Sequence, residues 1–419
     1  MSKAVVVVGA GISGLVVARR LHQVGMKVTI VDPDTRAGGR IKTDVVNGFR
    51  LDRGFQVFFN KYPSVQQELN LDQLHLKSYE PGCQVWDGKK LREVHKENVL
   101  DTFFARWLKP QDLIRMQMMG MELAKMSDEE IWHSDDVTIE ECLKQRGFSN
   151  EAIDRFFRPF FGGVFLDRSL QDSARPFLFY MKMLETGAAT TPALGMGDIP
   201  DQIAADIPDE CFHFGRKVTE IIKTDGYVSG VKLCDGSTVP CEAVIVATDG
   251  QAAAKLAGIP APTEFKKATT VHFATNDRIS WDPVIFVNGI GRGMVNHVAP
   301  VSVVSRELAP KPQHLVSATI LDSPAVDDRY LAESVRYELA DWFPKFDVNA
   351  WIPLRVDRIE LAQMSQRPGV WDHMPKNEVG EGVFVAGEFT TYAGIDGAIK
   401  SAQTCSGAVL KYLKEPVSA

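Results

Sequence analysis

The stretch that most constrains this chain runs from Lys3 to Arg40. Ala4 to Val8 is an unbroken apolar run of strand length, rich in β-branched side chains, which predicts a buried strand. Gly9-Ala10-Gly11-Ile12-Ser13-Gly14 follows at once and opens into Leu15 to Val24, where apolar residues recur at helical spacing. A second apolar run, Lys27 to Val31, ends on Asp32, roughly 20 residues beyond the glycines. Strand, glycine turn, helix, strand and acid in that order make a dinucleotide-binding βαβ unit, with Asp32 placed to receive a ribose hydroxyl.

The three glycines have separate tasks. Gly9 permits the tight turn, Gly11 lets the backbone approach a pyrophosphate, and Gly14, with Ala18 one turn later, lets the helix pack closely on the sheet. The helix N-terminus then offers unpaired N–H groups and a partial charge of about +0.5 to the phosphates.

Asp32 is followed by Pro33-Asp34-Thr35-Arg36-Ala37-Gly38-Gly39-Arg40-Ile41-Lys42-Thr43. R-x-G-G-R-x-x-T just after the ribose-binding acid resembles the second flavin fingerprint of glutathione-reductase-like FAD proteins, in particular the flavin amine oxidase, protoporphyrinogen oxidase and phytoene desaturase group. The resemblance implies FAD, with Gly38 and Gly39 beside its diphosphate and Arg40 neutralising it. A guanidinium suits that bidentate role. Leu51-Asp52-Arg53-Gly54 resembles the segment that returns toward the flavin, which brings Gln56 near the ring; Gln56 reads equally well as the polar partner of a half-buried strand. Val218 falls where relatives contact adenine through the backbone, and Ala247-Thr248-Asp249 resembles their A-T-G turn at the cofactor. The last motif, Gly387-Glu388 after the short strand Val383 to Ala386, with Gly394-Ile395-Asp396-Gly397-Ala398 opening a final helix, resembles the group's C-terminal FAD motif. The cofactor-binding residues so implied are Gly9, Gly11, Ile12, Ser13, Gly14, Asp32, Pro33, Gly38, Gly39, Arg40, Val218, Ala247, Thr248, Gly387, Glu388, Gly394, Ile395, Asp396 and Ala398. Hydride transfer leaves negative charge at flavin N1 and O2, and a helix N-terminus stabilises charge developing there.

Net charge is −7, so nothing supplies the positive field that nucleic-acid binding needs. The six cysteines, Cys83, Cys142, Cys211, Cys234, Cys241 and Cys405, form no C-x-x-C pair, and no signal-peptide pattern precedes Ala4; a reduced, cytoplasmic setting is expected. No stretch approaches the ~18 apolar residues of a membrane span. The nine histidines never fall at metal-ligand spacing, so no metal site is assigned.

Tyr62 to Gly197 reads as mostly helical. Leu100 to Met126 carries Phe103, Phe104, Trp107 and Leu108, then Met116, Met118, Met119, Met121 and Met126. A buried helix explains that stripe; an adaptable apolar wall for a bulky substrate, or a surface making peripheral contact with lipid, explains it too. Within Phe156 to Ser173, similar to a helix-breaking stretch of the same relatives, Pro159 and Gly162-Gly163 are expected to interrupt any helix. Cys211 to Val218 and Thr219 to Leu233 read as strands around the turn at Asp225-Gly226. Gly289-Ile290-Gly291-Arg292-Gly293 looks superficially like another nucleotide loop, but Met294 replaces the last glycine and no helical run follows, so it reads as a hairpin.

These readings converge on an α/β protein: a glutathione-reductase-like Rossmann FAD-binding domain drawn from residues 1–60, 205–255 and 376–419, with an inserted mixed α+β substrate domain from 61–204 and 256–375. The chemistry implied is removal of hydride from a substrate C–H to flavin N5, then reoxidation by oxygen, a quinone or another acceptor. A non-enzymatic FAD scaffold or redox partner is the rival class. FAD is expected without a covalent bond, because Val383 rather than a cysteine precedes Phe384. An apolar or polycyclic substrate is favoured over an amine: of the two aromatic positions that flank the flavin in amine oxidases, the motif match places Phe384 at one and aliphatic Ile395 at the other, and the strand Thr269 to Ala274 offers a threonine for their lysine. Gln56, Phe384, Tyr392 and Ile395 are the candidates for lining the flavin. No acid–base pair stands out, and His272, His297, Tyr392 and Arg355 read equally as core or surface residues.

Overall fold

The computed structural model describes residues 3–95, 107–260, 262 and 264–414. Strand β1 (Ala4–Val8) lies parallel to β2 (Lys27–Asp32), Val8 opposite Val31, and helix α1 (Ile12–Gln23) joins them. The hairpin of β3 (Thr43–Val46) and β4 (Phe49–Asp52) follows, turning at Asn47-Gly48, both at positive φ. A second hairpin, β5 (Gly82–Trp86) and β6 (Leu91–His95), precedes helices α2 (Pro110–Lys125), α3 (Arg158–Phe165) and α4 (Ala174–Thr186). Then come β7 (Phe212–Phe214), β8 (Val218–Thr224), β9 (Tyr227–Leu233) and β10 (Ala243–Val246). The long strands are β11 (Phe265–Thr275), β12 (Ile285–Asn288), β13 (Val295–Ala299), β14 (His314–Ile320) and β15 (Ile352–Met364). β16 (Glu378–Gly380), β17 (Val383–Val385) and α5 (Ile395–Lys414) complete the order.

Two sheets organise the molecule. The first runs β7-β2-β1-β10-β17-β16, parallel except at β16, with α1 packed against α5. Its central strands β1 and β10 are apolar throughout, as a parallel sheet covered on both faces requires. The second runs β15-β11-β14-β13-β12-β5-β6. The expectation of a mostly helical 62–197 is corrected here: β5 and β6 join this sheet, β5 lying parallel to β12 with Cys83 opposite Ile285. β5 and β6 pair with each other across the turn at Asp87-Gly88, Gly88 at φ 90, a local hairpin signal; only the place of β5 beside β12, some 200 residues later in the chain, has no local pattern.

Pro159 and the glycine pair do not break the helix. A π-turn at Ile153–Phe157 leads into α3, so the missing proline N–H falls at a helix start, where no partner is needed. Gly162 and Gly163 serve close approach instead: a Cβ would lie 3.0 Å from Arg168 Cγ at the first and 3.1 Å from His297 Nδ1 at the second. In the methionine stretch, Met119 is buried and Met118 and Met121 are exposed, so α2 is amphipathic rather than buried all round. Phe103 and Phe104 lie outside the described residues. The expected strand 211–218 splits at Gly215, φ 70, where the chain leaves one sheet for another. Among the described residues no helix is long and apolar enough to cross a membrane, and no three His, Cys, Asp or Glu side chains group to hold a metal ion.

Candidate functional site

The site begins where β1 meets α1. Gly9 sits at φ 108, where a Cβ would lie 2.6 Å from the Ala247 carbonyl oxygen, and one on Gly14 would lie 1.9 Å from the Gly9 carbonyl oxygen. These two glycines hold β1, α1 and the Ala247-Thr248 turn together. Gly11 differs: nothing lies within 4 Å of its Cβ position. It caps α1 without a side-chain hydrogen bond, and no acid occupies the first turn that Ile12 and Ser13 open. Gly38 N–H donates to the Ala10 carbonyl at 2.8 Å, and a Cβ on Gly39 would lie 3.2 Å from Gly11 Cα. The two glycine motifs therefore touch, leaving an open track past uncapped helix N–H groups. Such an uncapped, open helix start is a place where an anion can be held.

Asp32 closes one end. Its oxygens accept from Ala10 N–H at 2.7 Å and Asp34 N–H at 2.8 Å, with Pro33 exposed between the two acids. Arg216 N–H donates to the Asp32 carbonyl, which ties in the segment running to Val218. Val218 itself is buried and pairs with Leu233 at the start of β8. Buried Lys42 pairs with Asp34 and holds that carboxyl below its usual range.

At the other end Arg40 Nη2 meets Glu388 Oε1 at 2.7 Å, and Glu388 Oε2 accepts from Gly394 N–H at 3.0 Å. Gly387 N–H is held by Ser401 Oγ, and Ser13 Oγ donates to the Ala398 carbonyl at 3.0 Å. So Arg40, Glu388, Gly394, Ser13 and Ala398 come together from opposite ends of the chain. Asp396 does not join them: its buried carboxylate accepts from Ser64 N–H, Val65 N–H and the Tyr392 hydroxyl, and burial raises its pKa. Two flavin-lining candidates are likewise placed elsewhere. Phe384 is wholly buried on β17, its ring 5.7 Å from Tyr412 of α5, and Tyr392 stacks on Trp132 at 4.4 Å. A strand in the middle of a parallel sheet turns its side chains into the helices that cover it, which is why Phe384 is core. Ile395 stays half-buried at the start of α5.

Gln56 donates from Nε2 to the Arg40 carbonyl at 3.2 Å, while its Oε1 is buried without a partner. It follows Gly54 in a segment without strand pairing and borders a cavity of about 10 Å³, room for about one water, together with Asp52, Phe55, Tyr79, His272 and Ser317. Here the structure shows a pair that the sequence conceals. His272 Nε2 lies 3.0 Å from Asp357 Oδ2, its Nδ1 lies 2.9 Å from Ser317 Oγ, and Asp357 also accepts from Arg355 at 2.8 Å. Burial opposes ionisation of Asp357, but His272 and Arg355 outweigh it and lower its pKa. The lysines upstream on β11 stay away: Lys266 pairs with Asp172 and Lys267 with Glu360. The false nucleotide loop is accounted for as well, since Glu338 accepts from Met294 N–H at 2.8 Å and holds 289–294 as the turn between β12 and β13.

The family model for flavin containing amine oxidoreductases matches residues 12–410. The chain belongs to that family. The track of Gly11, Gly39, Arg40 and Glu388 has the shape and charge to fit the anionic half of a flavin dinucleotide. The chain is 29% identical over 173 residues to protoporphyrinogen oxidase 2, chloroplastic/mitochondrial, of Arabidopsis thaliana, a match covering 39% of this chain and 32% of that protein. The chain thus spans about a third of the length of that curated relative. Among solved structures it resembles an oxidoreductase from Methanosarcina mazei, with TM-score 0.73, 18% identity and coverage of 97% of this chain and 100% of the other. Putrescine oxidase bound to putrescine gives TM-score 0.74 at 16% identity, covering 98% and 99%. At those identities the likeness shows the fold.

Proposed function

We propose that this protein oxidises an apolar or polycyclic small molecule by removing hydride from a C–H bond, with oxygen or a quinone as the final acceptor. FAD, when bound, supplies the two-electron acceptor. The chain's own residues bind and orient it: the α1 N-terminus, Gly11 and Gly39 take the diphosphate, Arg40 neutralises it, Asp32 holds a ribose, Glu388 and Gly394 fix the start of α5, and Gln56 offers its unpaired oxygen to the ring. The strands β1, β2, β7, β10, β16 and β17, drawn from three separate stretches of the chain, form one sheet, which supports dividing the chain into a discontinuous FAD-binding domain (1–60, 205–255, 376–419) and a substrate domain (61–204, 256–375).

One observation carries the choice of substrate. The position of β11 that borders the cavity is His272, locked between Ser317 and Asp357, and the nearby lysines are tied to carboxylates elsewhere. With Phe384 in the core and Ile395 aliphatic, the aromatic pair that would steer an ammonium is not built at those positions; a cation over an aromatic face gains about 0.5–2 kcal/mol that is forgone here. Anaerobic mixing of the FAD-loaded protein with porphyrinogens, carotenes and quinols should bleach the flavin, and a matching panel of primary amines and polyamines should not. Bleaching by amines alone would overturn the choice, and no reoxidation by any acceptor above slow background would favour a scaffold.

A further inference from the structure

His297, on β13, has a fixed proton and no partner for it. Arg168 donates from Nη1 to Asn296 Oδ1 at 2.8 Å and from Nη2 to the Asn288 carbonyl at 3.1 Å. A guanidinium only donates, so the Asn296 atom facing it must be the oxygen. The amide nitrogen of Asn296 then faces the Pro159 carbonyl at 3.3 Å and His297 Nδ1 at 3.1 Å. An amide N–H₂ accepts nothing, so Nδ1 is the acceptor and the single ring proton sits on Nε2. Burial pulls the imidazole down to about 4, which agrees with a neutral ring.

The Nε2–H is nevertheless alone. His297 is 5% exposed, and Nε2 is buried without a hydrogen-bond partner. Native structures rarely leave a buried donor unpaired, and such a donor marks a place where a ligand completes the bonding. The ring stands behind the cavity wall and does not itself line the cavity. The ring lies 5.0 Å from Phe55, which borders the cavity beside Gln56, and a Cβ on Gly163 of α3 would lie 3.1 Å from Nδ1, so the imidazole is clamped in place.

We propose that His297 Nε2–H is the polar anchor for the substrate, donating to a carbonyl or carboxylate oxygen carried by an otherwise apolar ring system. The inference rests on the apolar-substrate reading and sharpens it. An ammonium has donors only, so it gains nothing at Nε2–H, whereas a carboxylate gains a charge-assisted bond in a water-poor setting. The relay Arg168–Asn296–His297 acts by position: it keeps the proton on the nitrogen that faces away from Asn296.

The test uses the full-length, FAD-loaded protein and three probes with the same ring system: 1-naphthoate, 1-naphthylmethylamine and naphthalene, titrated anaerobically and read by the shift in the bound-flavin absorption. Naphthoate should bind about tenfold or more tighter than either other probe, and His297→Phe, which keeps an aromatic ring against Phe55, should erase that preference by weakening naphthoate alone by about ten- to hundredfold. Histidine ¹⁵N spectra of the wild-type protein provide a readout that needs no variant: one ring should appear as a neutral Nε2–H tautomer that loses its signal in His297→Phe and shifts when naphthoate binds. Equal affinity for naphthoate and naphthalene removes the anchor but leaves the apolar-substrate reading standing. Preference for the amine, absence of saturable naphthoate binding, or an Nδ1–H tautomer overturns the inference outright.

Discussion

Gly11→Ala separates ligand binding from folding, because the structure assigns the two to different atoms. Gly11 has φ −77° and ψ 179°, a region open to any L-residue, and nothing lies within 4 Å of the Cβ that alanine would add. Where the native backbone already suits alanine, replacing glycine stabilises by about 0.4–1 kcal/mol, chiefly by restricting the unfolded chain. The apoprotein should therefore be at least as stable as wild type, with a urea midpoint unchanged or raised. The same methyl stands on the track between the uncapped start of α1 and Gly39, where the diphosphate must approach the backbone. FAD retention should fall, and the loss of even one charge-assisted phosphate bond, about 1.5–3 kcal/mol, corresponds to roughly ten- to 150-fold in affinity. Gly14→Ala is the contrasting control: its Cβ would be 1.9 Å from the Gly9 carbonyl oxygen, so it should destabilise the apoprotein directly. Flavin absorbance per protein after gel filtration, and urea unfolding of the stripped protein, read the two effects separately. A Gly11→Ala apoprotein weakened by more than about 1 kcal/mol, or one that purifies with full flavin, would refute the reasoning.

Arg40→Ala and Glu388→Ala should each weaken FAD retention more than apoprotein folding, since Arg40 is 42% exposed on its side chain and a pair of that kind contributes roughly 1 kcal/mol or less; full flavin occupancy with unchanged affinity in Arg40→Ala would be decisive against its phosphate role. Acid precipitation should release all the yellow colour into the supernatant, and colour retained in the pellet would show a covalent bond. Asp52, whose carboxyl burial pushes up to about 6 from 3.8, contributes stability that is complete below about pH 3.8 and lost as pH rises through about 6. Asp52→Asn, which keeps an acceptor for Thr43 and Met196, should remove that fall, on the order of 1–2 kcal/mol after allowing for its partial exposure; a melting temperature that declines equally in both proteins between pH 4 and 7 would rule this out.

The glycine motifs were legible in the sequence because their constraint is local. Gly9 at φ 108 and Gly394 at φ 118 need glycine for backbone reasons that any few neighbouring residues reveal. The flavin-lining side chains were less legible, because a motif gives a residue's place in the chain and not the face it turns to. Phe384 and Tyr392 occupy the expected positions, yet one packs on Tyr412 and the other on Trp132. His272 and Asp357 could not be paired from sequence at all: they lie 85 residues apart and meet only through the antiparallel register of β11 and β15, which is itself shifted by a bulge between His272 and Phe273. The pairing of β5 with β12 was hidden for the same reason, although the β5–β6 hairpin itself carried a local Asp87-Gly88 signal; at α3 the obstacle was local, a π-turn that absorbs the proline a simple rule takes for a break.

The contacts between the two ends of the chain explain why the cofactor site cannot be assigned to either end alone. Ser13 reaches the Ala398 carbonyl across 385 residues, and Glu388 divides its two oxygens between Arg40 and Gly394 N–H. Glu388 is buried to 9% exposure while Arg40 is 42% exposed, so water at the arginine end keeps the folding cost of losing it to roughly 1 kcal/mol or less, but the carboxylate loses the partner that orients it. Arg40 and the glycine that opens the final helix are therefore set by one side chain. A displacement of Arg40 is therefore felt at the start of α5, and a displacement of α5 is felt at Arg40. β17, lying parallel to β10 with Phe384 opposite Ile245, brings Glu388 to that position, so the sheet register that buries Phe384 in the core is the same register that joins the two ends of the site.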